Sequence, residues 1–304
     1  MSSVPFEPAG RQCTLESTTV FAGIGVHSGE RVRVVLRPAS VNQGIVFVRT
    51  DVTGRDNRIA ALSDRVSSTQ LNTEIRNASG VAVSTIEHLM AAFSALGVDN
   101  AVVELDGAEV PIMDGSALPF VRFIDQAGVR EQDAPRRAIE ILEPIEVLRG
   151  DKRAALLPAP HFEVAFELDY SGASAAIGCQ AIDLVLTEAS FRAELATART
   201  FGFLHEIQQL QAMGLGKGAS LDNAVGLDGD RIMNPEGLRI EREFVRHKAM
   251  DAIGDLYTLG APILGRFESR KGGHALNNLL CRELLSRPAA WRWRPPMLNL
   301  AATG

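Results

Sequence analysis

The chain has 304 residues, 46% of them hydrophobic and 22% charged, a balance ordinary for a globular protein with room for two compact domains or one large one. Its formal net charge of -6 argues against the basic surface by which proteins hold nucleic acid, though not against an anionic small substrate gripped by a few lysines. No apolar stretch approaches the ~20 residues of a membrane span.

The first third reads as strands. "ERVRVVL" alternates Val32, Val34 and Leu36 with Arg31 and Arg33, and "GIVFVRT" follows. "STIEHLMAAFSALG" is the first helix, with Gly97 as its C-cap. The strand "NAVVEL" comes next, then a turn-rich stretch with Pro111 and Gly115, then a helix in "SALPFVRFIDQAG". "EQDAPRRA", residues 131–138, is polar and holds a proline; it is expected to link a domain of residues 1–133 to one of residues 134–304. Beyond it lie "AIEILEPIEVL" and "HFEVAFELDY". The latter alternates Phe162, Val164, Phe166 and Leu168 with Glu163, Ala165 and Glu167, as a half-buried strand of an antiparallel sheet does. Helices are expected around 187–196 and 201–213, then in "EFVRHKAMDAIGDL", residues 243–256. The strand "ILGRFES" and the helix "GHALNNLLCRELL" follow. The two halves echo each other, each with a histidine early in a helix that ends in Leu-Gly and leads to a strand and a second helix. That pattern predicts an α+β protein of two related domains whose histidine-bearing helices face each other.

Cys13, Cys179 and Cys281 are odd in number and contain no CxxC pair, the pattern of reduced thiols in a cytosolic protein. The opening "MSSVPFEPAGRQCTLES" lacks the basic-then-apolar order of a secretory signal.

The chemistry concentrates in residues 243–256. His247, Asp251 and Asp255 recur at i, i+4 and i+8, and four residues advance a helix by about 400°, so the three share one stripe. A solvated His–Asp pair is the common meaning of such spacing. Here apolar residues lie on most sides, and a His and an Asp one turn apart can share a metal ion. A third ligand is then needed. His161 and His205 read as structural and exposed. His27, in "GIGVHSG", competes with His88, whose neighbour Glu87 could act as base beside a metal. Glu87 also fits a capping box, "STIE", with Ser84 at the N-cap. His274, after two glycines in "KGGHALNN", is either a capping residue or an imidazolium held by Asp255. "GIGVHSG" and "GLGKGAS" match neither a dinucleotide fingerprint nor a P-loop.

Together, "STIEH", "MDGSA", "ARTFGF", "RHKAMDAIGDL" and "GHALNN" closely resemble the UDP-3-O-acyl-N-acetylglucosamine deacetylases, the zinc amidases of lipid A biosynthesis, over nearly the whole chain. The resemblance implies two α+β domains, each a mainly antiparallel sheet with helices, the helices sandwiched between the sheets. It implies a Zn2+ ion held by His88, His247 and Asp251. Glu87 would be the general base, and His274, oriented by Asp255, the acid or the cation on the oxyanion side. Thr200 would polarise the acetyl carbonyl. Phe201 and Phe203 would line the substrate, Lys248, Lys271 and Lys152 would meet its anionic part, and Tyr170 the uracil. The segment around 201–222 corresponds to an insertion forming an acyl-chain passage, with Phe203, Ile207, Leu210 and Met213 as its apolar stripe. Seen alone, that stripe reads as core packing. Ser67 stands where some relatives carry a cysteine near the metal. The implied protein is a cytoplasmic monomer acting on a nucleotide sugar with a fatty acyl chain, with no nucleic-acid partner and at most peripheral membrane contact. A zinc amidase or peptidase for another substrate, and a non-catalytic metal-dependent binding protein, are the alternatives.

Overall fold

The computed structural model describes residues 10–294. Part of the stretch read for a secretory signal, residues 1–9, lies outside them. The first half contributes strands β1 (Thr19–Ile24), β2 (Arg31–Pro38), β3 (Ile45–Arg49) and β4 (Arg58–Ala60). Helix α1 (Glu87–Ala95), strand β5 (Ala101–Leu105) and helix α2 (Leu118–Ala127) follow. The second half contributes β6 (Ile145–Arg149), β7 (Lys152–Leu157), β8 (Phe162–Asp169) and β9 (Cys179–Val185). After them come α3 (Leu204–Ala212), α4 (Glu243–Tyr257), β10 (Ile263–Arg270) and α5 (His274–Ser286).

The echo between the halves is topological. The first sheet runs β1-β2-β5-β3-β4, with β5 parallel to β3 and every other pairing antiparallel. In the second, β6-β7-β10-β8-β9 repeats that order, with β10 parallel to β8. In each half the parallel pair is joined through a histidine-bearing helix, as parallel neighbours require a crossover. The expectation for β8 therefore holds on one edge only: it is antiparallel to β9 and parallel to β10.

The helices pack between the sheets. α1 lies against α4, α2 against β1, α4 against β8 and β9, and α5 against β6 and β7. Every residue of α1 is buried, and every residue of α4 except Lys248. Leu89, Met90 and Phe93 of α1 are 0–1% exposed, and each such side chain contributes about 1.5–3 kcal/mol by leaving water. The crossing is tight at Gly254, where an added Cβ would fall 1.9 Å from the Glu87 carbonyl oxygen. Only glycine allows that approach.

Two sequence expectations are corrected. Residues 131–135 of the expected linker are not a linker: Val129–Pro135 is a strand paired antiparallel with Arg11–Leu15. Of its seven residues only Gln132 is buried, so the polar composition of this strand imitates a loop. The helix at 201–213 begins later, because Phe201–Phe203 is a short strand parallel to Val225–Asp228. Around 187–196 a helical turn, Glu188–Ser190, runs into a π-helical stretch, Phe191–Leu195.

Candidate active site

Helix α4 supplies the stripe. His247, Asp251 and Asp255 are all buried, with 1–3% of their surface exposed, so they are not a solvated ion-pair face. The Nε2 atoms of His247 and of His88, from α1, each lie 3.3 Å from Asp251 Oδ1. The three ligand atoms are within 4.8 Å of one another, and among the described residues no other group of three His, Cys, Asp or Glu converges this way. His27 is therefore not a member.

The donor set fits a metal ion on two counts. Asp251 Oδ1 is buried and accepts no hydrogen bond, a state that costs free energy unless something compensates the oxygen. Bonds of ~2.0–2.1 Å to a tetrahedral ion also put neighbouring ligand atoms about 3.3–3.4 Å apart. Nδ1 of His247 lies 3.1 Å from the Ala198 carbonyl oxygen. A carbonyl only accepts, so Nδ1 carries the proton and Nε2 presents its lone pair inward. Burial pushes the His247 imidazole down to about 3, against the pull of Asp251, so it is neutral as a ligand must be. Burial also opposes ionisation of Asp251, but the cationic groups around it, Lys248 and His274 among them, hold its carboxyl well below the ordinary value. Lys248 Nζ donates to Asp251 Oδ2 at 3.1 Å.

Beside this set stand a buried carboxylate and a third imidazole. Glu87 is 3% exposed; its Oε2 accepts the Thr73 backbone N–H at 3.1 Å, and its Oε1 faces His274 Nε2 at 3.9 Å. Burial raises the Glu87 carboxyl pKa, with His274 and His88 opposing. His274 Nδ1 is 2.8 Å from Asp255 Oδ2, and Nε2 is 4.0 Å from Asp251 Oδ2. Burial disfavours the His274 cation, but Asp255, Glu87 and Asp251 outweigh it and raise its pKa to about 9. Asp255 is saturated with donors: Thr73 Oγ1 at 2.6 Å, Asn277 Nδ2 at 2.9 Å and His274.

The capping-box reading of Glu87 is overturned. Thr85 has φ of +59°, outside helical space, and Ser84 is in a bridge with Glu109. The helix starts at Glu87 itself with Ile86 at the N-cap and no side-chain cap, so Glu87 is not at N3. His274 likewise heads α5 without capping it: the N-cap is Gly273, with no side-chain hydrogen bond.

Glu87, His88, His247, Asp251 and His274 line one cavity of ≈160 Å³, together with Thr200, Phe201 and Lys248. Ile207 and Leu210 of α3 line its other side, with Val26, Leu71 and Ile112. The stripe divides: Phe203 is buried in the core, Ile207 and Leu210 of α3 are only partly buried and face the cavity, and Met213, 66% exposed, does not line it. Phe203 is buried, with its ring centroid 6.2 Å from that of Tyr170, which is 6.0 Å from that of Phe201. Lys271 and Lys152 are not among the lining residues. Lys271 is bound to Asp151 and Asp169, each at 3.0 Å, and Lys152 is exposed at the turn between β6 and β7. Ser67 donates to Glu74 Oε1 and also lies outside the cavity wall.

Thr73, Asn277 and the Ala198 carbonyl escape a sequence reading. Asn277 carries a signal, since it stands at i+3 from His274 on one helix face. Thr73 carries none: it reaches the site from a loop.

A family model described as LpxC, UDP-3-O-acyl N-acetylglycosamine deacetylase, matches residues 12–286. The chain is 65% identical over 290 residues, 95% of its length and 98% of the relative's, to a UDP-3-O-acyl-N-acetylglucosamine deacetylase of Phenylobacterium zucineum (strain HLK1). It is 50% identical over 281 residues, 92% of each chain, to a protein of the same name from Chromohalobacter salexigens. It is 48% identical over 283 residues, 93% and 92% of the two chains, to another from Acidithiobacillus ferrooxidans.

Proposed function

The chain belongs to the UDP-3-O-acyl N-acetylglycosamine deacetylase family, and from that premise we propose that it hydrolyses the acetamide of UDP-3-O-acyl-N-acetylglucosamine, releasing acetate at an early step of lipid A biosynthesis. The observation that carries this reading is the convergence of three metal-type donors, a buried carboxylate and a carboxylate-held imidazole on one cavity.

His88, His247 and Asp251 would hold the metal, proposed to be zinc because two neutral imidazoles and one carboxylate suit a catalytic site with an open position. When bound, the ion supplies Lewis acidity and makes water a better nucleophile near neutral pH. Glu87 Oε1 takes the proton from the attacking water. A carboxyl pKa raised by burial brings the base closer to working pH, where proton transfer is most effective. His274 presents its Nε2–H to the developing oxyanion while Asp255 holds the opposite nitrogen. The Thr200 hydroxyl polarises the same carbonyl. His274 and protonated Glu87 are the two groups able to return a proton to the leaving amine.

Lys248 meets the anionic part of the substrate, and Phe201, Phe203 and Tyr170 form the aromatic wall towards the uracil. Lys271 exchanges its contacts to Asp151 and Asp169 for the nucleotide, and Lys152 joins from the rim. Ile207 and Leu210 receive the acyl chain. The site is complete within one chain, which supports a monomer, and a nucleotide-sugar substrate supports a cytoplasmic location. Among the described residues no helix is long and apolar enough to cross a membrane. We propose that the halves with repeated topology are two domains that divide just after the strand Val129–Pro135, which pairs with Arg11–Leu15, and not at 133/134 within it.

The test is acetate release from the nucleotide sugar with and without its fatty acyl group. Release is expected to stop on chelation, return with zinc, and show a higher kcat/KM for the acylated substrate. No release by zinc-loaded protein would overturn the assignment. Equal kcat/KM for both substrates would overturn the acyl passage alone.

A further inference from the structure

Thr73 is 2% exposed and bonds to both proton-handling arms of the site. Its backbone N–H donates to Glu87 Oε2 at 3.1 Å. Its hydroxyl donates to Asp255 Oδ1 at 2.6 Å and stands 3.4 Å from His274 Nδ1. Glu87 belongs to the first half of the chain, and Asp255 and His274 to the second. We infer that Thr73 is a positioning residue that fixes the Glu87 carboxylate and the Asp255–His274 pair relative to each other across the junction of the halves. The inference rests on the function proposed above.

Each contact removes one freedom. A carboxylate can turn either oxygen inward; the Thr73 N–H occupies Oε2 and leaves Oε1 towards His274 Nε2. Asp255 Oδ2 is shared by His274 and Asn277, so the Thr73 hydroxyl is the donor that Oδ1 has. A hydroxyl carries one proton, and the 2.6 Å contact spends it on Asp255. Without that donor, Oδ1 would be a buried acceptor with no partner, free energy would favour rotation of the carboxylate, and His274 would turn with it. The hydroxyl therefore acts through Asp255 on the imidazole and touches no reacting atom.

The contrast is Thr73→Val, which keeps the shape and the backbone N–H but lacks the hydroxyl, against Thr73→Ser, which keeps the hydroxyl. T73V is expected to lose about 10–100-fold in kcat, the usual effect of deleting a partner behind a ligand or catalytic group, with KM and bound zinc as in wild type. T73S is expected to stay near wild type. Thr73→Val combined with Asp255→Asn is expected to be little worse than D255N alone, because both act on one imidazole. Where T73V does not fold, Thr73→Ala against T73S carries the same contrast. Wild-type kcat in T73V, equal losses in T73V and T73S, or fully additive losses in the double variant would overturn the role. Wild-type protein that releases no acetate would instead overturn the proposed function.

Discussion

Replacing Glu87 by glutamine separates shape from proton acceptance. In the structure one oxygen of Glu87 is held by the Thr73 N–H, and the other is 3.9 Å from His274 Nε2. An amide oxygen can keep the first contact, so the side chain should stay in place. The helix start should not suffer either, since Glu87 is the first helical residue and not part of a cap. An amide cannot take the proton of the attacking water, so kcat should fall about 10²–10⁴-fold, the usual worth of a general base. At ~1.36 kcal/mol per tenfold, that is about 2.7–5.4 kcal/mol of barrier. Stability should change little or rise, because burial already disfavours the charge that the substitution removes. The assay measures acetate release at saturating substrate, beside zinc content and thermal midpoint. Glu87→Ala, which also abandons the Thr73 contact, serves as the comparison. A Glu87→Gln protein that is folded, zinc-loaded and fully active would refute the assignment of the base.

Alanine at His88, His247 or Asp251 should each lower bound zinc, whereas His27→Ala should retain it; a zinc assay showing the reverse for His27 and His88 would sink the ligand set. Gly254→Ala places a Cβ 1.9 Å from the Glu87 carbonyl oxygen, so α1 and α4 must part. It should destabilise by at least the about 1–3 kcal/mol of an overpacked core and weaken zinc binding, and wild-type values for both would show that the crossing tolerates bulk. Asp114 supplies a pH test away from the metal. Burial opposes its ionisation, but hydrogen bonds from Ser116 and Arg239 lower its carboxyl pKa below the ordinary value. A lowered folded pKa stabilises above the unfolded pKa, and that contribution is lost as pH falls through the folded value. Asp114→Asn should thus be less stable than wild type at pH 7, with the gap closing below about pH 4. A gap that stays constant in denaturant unfolding between pH 7 and pH 3 would contradict this.

Periodicity made much of the molecule legible. Alternation in β2 and β8 follows from one face of each being buried, and the order His247, Asp251, Asp255 follows from 3.6 residues per turn. The family motifs carried the proposed ligand set and base. What local sequence could not settle were contacts made by the backbone or across long separations. Whether His88 or His27 joins the stripe on α4 depends on how α1 packs against α4, and the contact at Gly254 sets that packing. Glu87 looked like a cap because Ser84 stands three residues before it. The left-handed Thr85 and the bridge from Ser84 to Glu109 reserve those residues for another partner. The stretch 131–135 looked like a linker because its strand is held to Arg11–Leu15 by backbone hydrogen bonds and has no apolar face of its own. Thr73 is the plainest case. A threonine in a polar loop has no periodic neighbours, and its importance comes from where folding delivers one N–H and one hydroxyl. Local sequence, then, determined which residues could lie on a common face, since that is fixed by helix and strand geometry. The tertiary structure decided which faces meet and which lone donors reach them, since that depends on packing between elements far apart in the chain.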